Sequence, residues 1–261
     1  MKIVVPVKYV PEPTAVWRFS DDLTLDRDGV EGRLSELDEY AVEQAVRLTE
    51  SGVDAEIVAL TVGPAKATDA LRKALAMGAH SGVHVLDDAI HGSDALATSL
   101  VLAAAIRQTG FDLVVTGMAS TDAEMSVVPA MVAERLDAAQ VTFASALSVD
   151  AVAGTVTVRR DGDAASEQIE APLPAVVSVT DQTGEARYPA FKAIMASKKK
   201  PVTTWSLADL GISPAEVGSA SAGVVVRTLT PRPPKQAGVV VVDEGDGAAR
   251  IADFLTERKF L

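Results

Sequence analysis

"AEIVALTVGPAKATDALRKALAMGAHSGVHVL", residues 55–86, decides the fold. Two short apolar runs, "AEIVALTV" (55–62) and "GVHVL" (82–86), flank a stretch of helical character, "KATDALRKALAMG" (66–78), that ends on Gly78. Unbroken apolar runs are what strands covered on both faces look like. A glycine closing a helical pattern is a C-terminal stop. The reading is therefore strand, helix, strand, with the strands parallel.

The same alternation extends to both sides. "KIVVPV" (2–7) and "FDLVVTG" (111–117) are further strands, and "DEYAVEQAVRLTES" (38–51), "SDALATSLVLAAAIRQTG" (93–110) and "SVVPAMVAERL" (126–136) are further helices. The first of these follows "SELD" at 35–38 and the second opens on "GSD" at 92–94, both plausible N-caps, and the second stops at Gly110. An α/β fold with a doubly wound, mainly parallel sheet follows. From residue 144 the texture changes to "ASALSVDAVAGTVTVRRDGDAASEQIEAPLPAVVSV", whose period-two alternation, with turns at Gly154 and Gly162, predicts an antiparallel hairpin leading into a buried strand, Ala175–Val179. Beyond Asp181 two proline-rich breaks, "SKKKPV" and "TPRPPKQAG", leave "GAARIADFLTER" (247–258) as the strong helical signal. We divide the chain into an α/β domain, 1–205, and an extended C-terminal arm, 206–261. No internal repeat or low-complexity tract is present.

The formal net charge is −12, yet "ARYPAFKAIMASKKKP" (186–201) holds five basic side chains and no acid, which leaves the rest of the chain at −17. A pI near 4.7 argues against general nucleic-acid binding, which draws on cations replacing phosphate counterions. Aromatic content of 4% supplies no base-stacking platform. With no cysteine there is no disulfide, thiol nucleophile or Cys-ligated metal, and His80, His84 and His91 read as structural or solvent-facing. The start, "MKIVVPVKYVPEP", places Pro6 and Lys8 where a signal peptide would need an unbroken apolar stretch, and no window approaches a membrane span, so a cytoplasmic location without membrane insertion is expected.

In an open α/β sheet, ligands bind where loops leave the carboxyl ends of the strands, here after Val7, Val62, Leu86 and Thr116. No GxGxxG, GxxxxGK[ST] or GxSxG motif occurs, so neither a dinucleotide dehydrogenase, a P-loop enzyme nor an α/β-hydrolase is supported. The loop "TGMASTDAEMSVVPAM" (116–131) has two readings: free amides at a helix start that hold a phosphate, or Ser120, Thr121 and Asp122 simply capping a helix. Lys8 is either an ordinary strand exit or a cation near an anion. In the basic stretch, Pro189 and the run Lys198 to Pro201 bound a helix of about two turns, too short to be a core element on its own.

Several segments in order, "VVPVKYVPEP", "LDEYAVEQAVRL", "ALTVGPAKATDALRKALAMGAHSGVHV", "EQIEAPLPAVVSV" and "EARYPAFKAIMASKKKP", together resemble the beta subunit of electron transfer flavoproteins, from residue 1 to about 210. The resemblance implies an electron carrier and not an enzyme, with no catalytic residue of its own. Its partner would be an alpha subunit that holds most of a redox-active FAD. Electrons would arrive from acyl-CoA dehydrogenases or related flavin dehydrogenases of fatty acid β-oxidation and leave to a membrane quinone oxidoreductase. A structural AMP would lie against Pro6, Ser35, Asp38, Val62 and the loop Gly117, Ser120, Thr121, Asp122, Ser126, Val127 and Val128. Where many members carry Asn-Gln-Thr-Gly-Gln, this chain has Ser126, Val127, Val128, Pro129 and Ala130, which leaves backbone amides other than that of Pro129 and removes the Asn, Gln and Thr side-chain donors. The Thr-Ala-Gln-Val-Gly-Pro run of electron-bifurcating members is unmatched, which implies ordinary transfer. Asp161 matches a carboxylate that faces the mobile flavin domain. Residues 181–201 match the recognition loop, with Arg187, Tyr188, Ile194, Met195 and Lys198 around an apolar anchor, Phe191. The competing reading is a stand-alone adenine-nucleotide-binding protein, universal-stress-like or ATP-pyrophosphatase-like. It would need Gly-rich phosphate loops that the chain does not have.

Overall fold

A strand buried on both faces needs a helix layer on each side, and the apolar runs receive one. A computed structural model describes every residue of the chain except Asp28, Gln236, Ala237 and Val239. In chain order the first half contains β1 (Lys2–Pro6), β2 (Tyr9–Pro11), β3 (Gly32–Leu34), α1 (Glu36–Glu50), β4 (Glu56–Val62), α2 (Thr68–Met77), β5 (Ser81–Val85), α3 (Ala95–Thr109) and β6 (Leu113–Gly117). The second half contains α4 (Val128–Leu136), β7 (Ala139–Ala144), β8 (Ala146–Asp150), β9 (Thr155–Asp161), β10 (Ser166–Pro172), β11 (Ala175–Val179), α5 (Phe191–Ser197), β12 (Val202–Trp205) and α6 (Gly247–Glu257). Residues Met1–Arg227 form one compact unit and Thr228–Leu261, which contains α6, another.

Seven strands make the central sheet in the order β12-β5-β4-β1-β6-β11-β7, every neighbouring pair parallel. Along each strand alternate residues enter opposite cores. Ile3, Val5, Leu113, Val115, Ala175 and Val177 pack with α1 and α2, whereas Val4, Val114 and Val176 pack with α3 and α4. This is the doubly wound α/β architecture expected from the alternation, and the strand Ala175–Val179 falls where it was read.

The structure also corrects several boundaries. The predicted hairpin is a three-stranded antiparallel sheet, β10-β9-β8, turning at Gly154 and after Asp161. The edge strands β7 and β12 come in addition to the expected five. In β7 the alternation is broken at Phe143, which has φ +62°, and β11 shifts register opposite it. The fourth helix starts at Val128, not 126, because Glu124 (φ +51°) and Ser126 (φ +56°) interrupt any helical path before it. The second starts at Thr68, after a 3-10 turn at Ala65–Ala67, and the first at Glu36. Ser35 makes no side-chain cap there, whereas Asp94 Oδ1 accepts from the amide of Ala97 as a true N-cap of α3. The proline-rich break at 230–238 includes Gln236 and Ala237, which lie outside the described residues.

Candidate functional site

The sheet's strand order reverses at β1, which lies between β4 and β6. In open α/β sheets the crevice at the carboxyl ends of such a strand pair is where ligands bind. Here β1 ends at Pro6 and β6 at Gly117. The first turn of α1 is drawn down onto both. The Asp38 carboxylate accepts the Lys8 amide at 2.8 Å and also the amide of Gly117. A Cβ on Gly117 would stand 2.7 Å from both Asp38 Oδ1 and the Leu37 carbonyl, so glycine is what lets helix and strand end meet. Burial pushes the Asp38 carboxyl up to about 7, against the opposing pull of the Lys8 amide and ammonium.

Above this lies a small ionic cluster. Asp122, its side chain 1% exposed, bridges Lys8 Nζ at 2.8 Å and Arg27 Nη2 at 2.5 Å, and Lys8 Nζ also reaches Ser120 Oγ at 3.3 Å. Burial alone would raise the Asp122 carboxyl, but the two cations outweigh it and hold it near 2. Ser35, fully buried, bonds its amide to the Lys8 carbonyl at 2.9 Å, and its Oγ faces the Thr121 amide at 3.4 Å. Thr116 Oγ1 is buried and has no hydrogen-bond partner among the described residues.

The structure thus brings together Pro6, Ser35, Asp38, Gly117, Ser120, Thr121 and Asp122. Val62 ends the neighbouring strand β4, and Ser126, Val127 and Val128 lie further along the loop, at the start of α4. Asp122 and its neighbours do not cap that helix, which begins six residues later. Asp122 is occupied with Lys8 and Arg27 instead. Sequence reasoning left Lys8 open and missed Arg27 and Thr116. The available signal for Arg27 was a lone cation in the acidic loop "DDLTLDRDGVEG" (21–32), which carries no periodicity. Among the described residues no group of three or more His, Asp or Glu side chains is placed to hold a metal. His80 Nδ1 accepts the Ile57 amide, buried His84 lies between Thr68 Oγ1 and the Gly63 carbonyl, and His91 pairs with Asp22 on the surface. No helix among the described residues is long and apolar enough to cross a membrane.

A second feature lies beside α1 and α2. The short helix α5 buries Ser197 alone, while Phe191 is 78% exposed and the preceding Tyr188 86%. Ile194 and Met195 are exposed as well. Arg187, expected at the docking surface, turns its guanidinium back to Glu43 and Glu50 on α1. Lys200 likewise turns back, to the carbonyls of Leu75 (2.8 Å) and Ala79 (2.6 Å) at the end of α2. Asp161, at the end of β9, accepts from Ser145 Oγ at 2.6 Å and from Ser166 Oγ and Arg159 Nε. Those hydroxyls, with the guanidinium, hold it near 2.

A doubly wound α/β protein with a charged, hydroxyl-lined crevice at its switch point has the architecture of the nucleotide-binding folds. The family model of the electron transfer flavoprotein domain matches residues 22–210. The electron transfer flavoprotein subunit beta of Mycobacterium leprae is 43% identical over 99% of both chains, that of Mycobacterium tuberculosis 42% over the same share, and that of Syntrophomonas wolfei 35% over 98% of this chain and 96% of its own. The chain belongs to the electron transfer flavoprotein family, on its beta-subunit side, and is an electron-carrier subunit, not an enzyme. Lys8 and Arg27 put two cations beside the strand ends, the charge that an anionic group needs. Asp122 sets one negative charge against their two positive ones, so an anion would share both cations with that carboxylate.

Proposed function

We propose that this chain works as one half of a heterodimeric carrier in the cytoplasm. It would support an FAD held mainly by an alpha subunit, accept electrons from acyl-CoA dehydrogenases or related flavin dehydrogenases, and pass them to a membrane quinone oxidoreductase. FAD, when bound, supplies the one- and two-electron chemistry, and protein contacts position it and tune its electronics. The observation that carries the reading is Phe191, an aromatic side chain on the outer face of a helix too short to need it for packing. An exposed aromatic on a fixed support is the form a docking anchor takes.

The chain's own residues then divide the work. Phe191, with Ile194 and Met195, fills an apolar pocket on the donor dehydrogenase, and Lys192, Lys198 and Lys199 steer the encounter. The arm 206–261 packs on the alpha subunit, and Asp161 faces the flavin-bearing domain. At the switch point the loop 117–128 with Ser120 offers polar groups, and Lys8 and Arg27 offer charge, to a structural AMP.

Co-expression tests the reading. This chain would be produced alone and with a flavoprotein alpha subunit, comparing yield, oligomeric state and flavin absorbance. A yellow heterodimer is expected. A stable colourless monomer that ignores the alpha subunit would overturn the proposal, and acid extraction of the heterodimer would decide separately whether AMP is bound.

A further inference from the structure

Residues 183–201 leave the body of the domain and return to it, and charged groups pin both attachments, next to Ala186 packed on the core, buried Pro189 and the Tyr188 ring 4.7 Å from Lys73 Nζ. At the N-terminal attachment, Glu43, Arg47 and Glu50 project from one face of α1, at the spacing that aligns side chains on a helix. Glu43, almost fully buried, accepts the Arg187 amide at 3.1 Å, its Nε at 2.7 Å and its Nη2 at 3.2 Å, while Glu50 takes Nη1 at 2.7 Å and Nη2 at 2.8 Å. Arg47 bonds Glu43 and spends its other donors on the carbonyls of Thr183 and Glu185. At the C-terminal attachment Arg72 on α2 donates to the carbonyls of Ser197 (2.8 Å) and Lys200 (3.1 Å).

Between these pins α5 has little of its own to keep it folded. An isolated seven-residue helix is unstable in water, and this one turns its large apolar side chains outward. Phe191, Ile194 and Met195 therefore do not fix its position, and the buried Pro189 just before it fixes no direction for the guanidinium side of the loop. A single exposed ion pair would add little. Arg187 is more than that, since a planar guanidinium forked between two carboxylates, one of them buried, fixes direction as well as distance. A loop that had to order itself on binding would lose affinity to that ordering, and a loop ordered in advance does not.

We propose that Arg187, held by Glu43 and Glu50, is a positioning residue that preforms the docking tip, so that a donor dehydrogenase meets Phe191 on a rigid bracket. This rests on the docking reading above and replaces a direct role for Arg187 in partner contact. Lysine at position 187 keeps the charge but loses the fork, so it should not restore the bracket.

The test uses the complex with the alpha subunit, as wild type, Arg187→Ala, Arg187→Lys, Phe191→Ala and the double variant Arg187→Ala/Phe191→Ala. One arm is hydrogen–deuterium exchange. Amides 190–197 should exchange about tenfold faster in both Arg187 variants, with the central sheet unchanged. The other arm is electron transfer from a medium-chain acyl-CoA dehydrogenase reduced by octanoyl-CoA. In both Arg187 variants the half-saturating concentration should rise about tenfold while the maximal rate stays put, the split expected when binding alone is lost. Phe191→Ala should raise it about thirtyfold in the wild-type background but only about threefold when Arg187 is already alanine, because the two act as one unit. Unchanged exchange overturns the bracket, and additive effects overturn positioning in favour of direct contact. A Phe191→Ala complex with wild-type half-saturation overturns the docking reading itself, and the exchange arm tells the two failures apart.

Discussion

Asp38 places a carboxyl group where water does not reach and compensates it with amide hydrogens more than with a full cation. Its carboxyl, ordinarily near 3.8, sits at about 7 in the folded protein, so folded Asp38 holds a proton that the unfolded chain has already released. Its contribution to stability is complete below about pH 4 and is lost as pH rises through 7, with a slope of at most about 1.4 kcal/mol per pH unit. Asp38→Asn should flatten that part of the pH–stability profile, measured as the difference in urea midpoint between variant and wild type from pH 4.5 to 8. An identical slope in the two proteins would show that Asp38 ionises normally. Asp122 works the other way, as an ionised group between two cations. Asp122→Ala should destabilise the fold by about 1–3 kcal/mol, the range for leaving partly buried charges unpaired, and chemical denaturation at neutral pH would read it.

Among the elements, the lysines of the basic stretch separate by what their ammonium groups touch. Lys200 closes the end of α2, bonding carbonyls that the last helical turn leaves free. Lys200→Met should therefore cost about 1 kcal/mol of stability, whereas Lys199→Met should be nearly neutral, both by thermal unfolding. Equal effects would remove the capping role. The elements legible in the sequence were those with both faces covered: β1, β4, β5, β6 and β11 print themselves as apolar runs, and the helices between them as longer stretches closed by caps or glycines. The edge strands did not, because β12 is a four-residue piece directly after a basic run and β7 carries a left-handed residue at Phe143. The crevice was legible as a place, since strand ends can be counted. It was not legible as a cluster: Arg27 joins Asp122 from 95 residues away, through a loop without periodic signal.

For the whole molecule, a net charge of −12 with a basic segment of opposite sign on its surface makes association with a donor sensitive to salt. Raising ionic strength from about 50 to 500 mM should slow association several-fold while leaving the dissociation rate nearly constant, because steering charges act mainly before contact. Stopped-flow mixing with the reduced dehydrogenase would separate the two, and a salt-independent association rate would exclude steering. One element joins the switch point and the docking tip. The fifteen-residue helix α1 gives Asp38 to the switch point and, about 8 to 18 Å further along its axis, gives Glu43 and Glu50 to the docking bracket. A helix of this length tilts as one body, so a packing defect under α1 is inherited at both ends. Variants selected for altered docking will tend to arrive with altered switch-point chemistry, and the two traits will evolve as a linked pair.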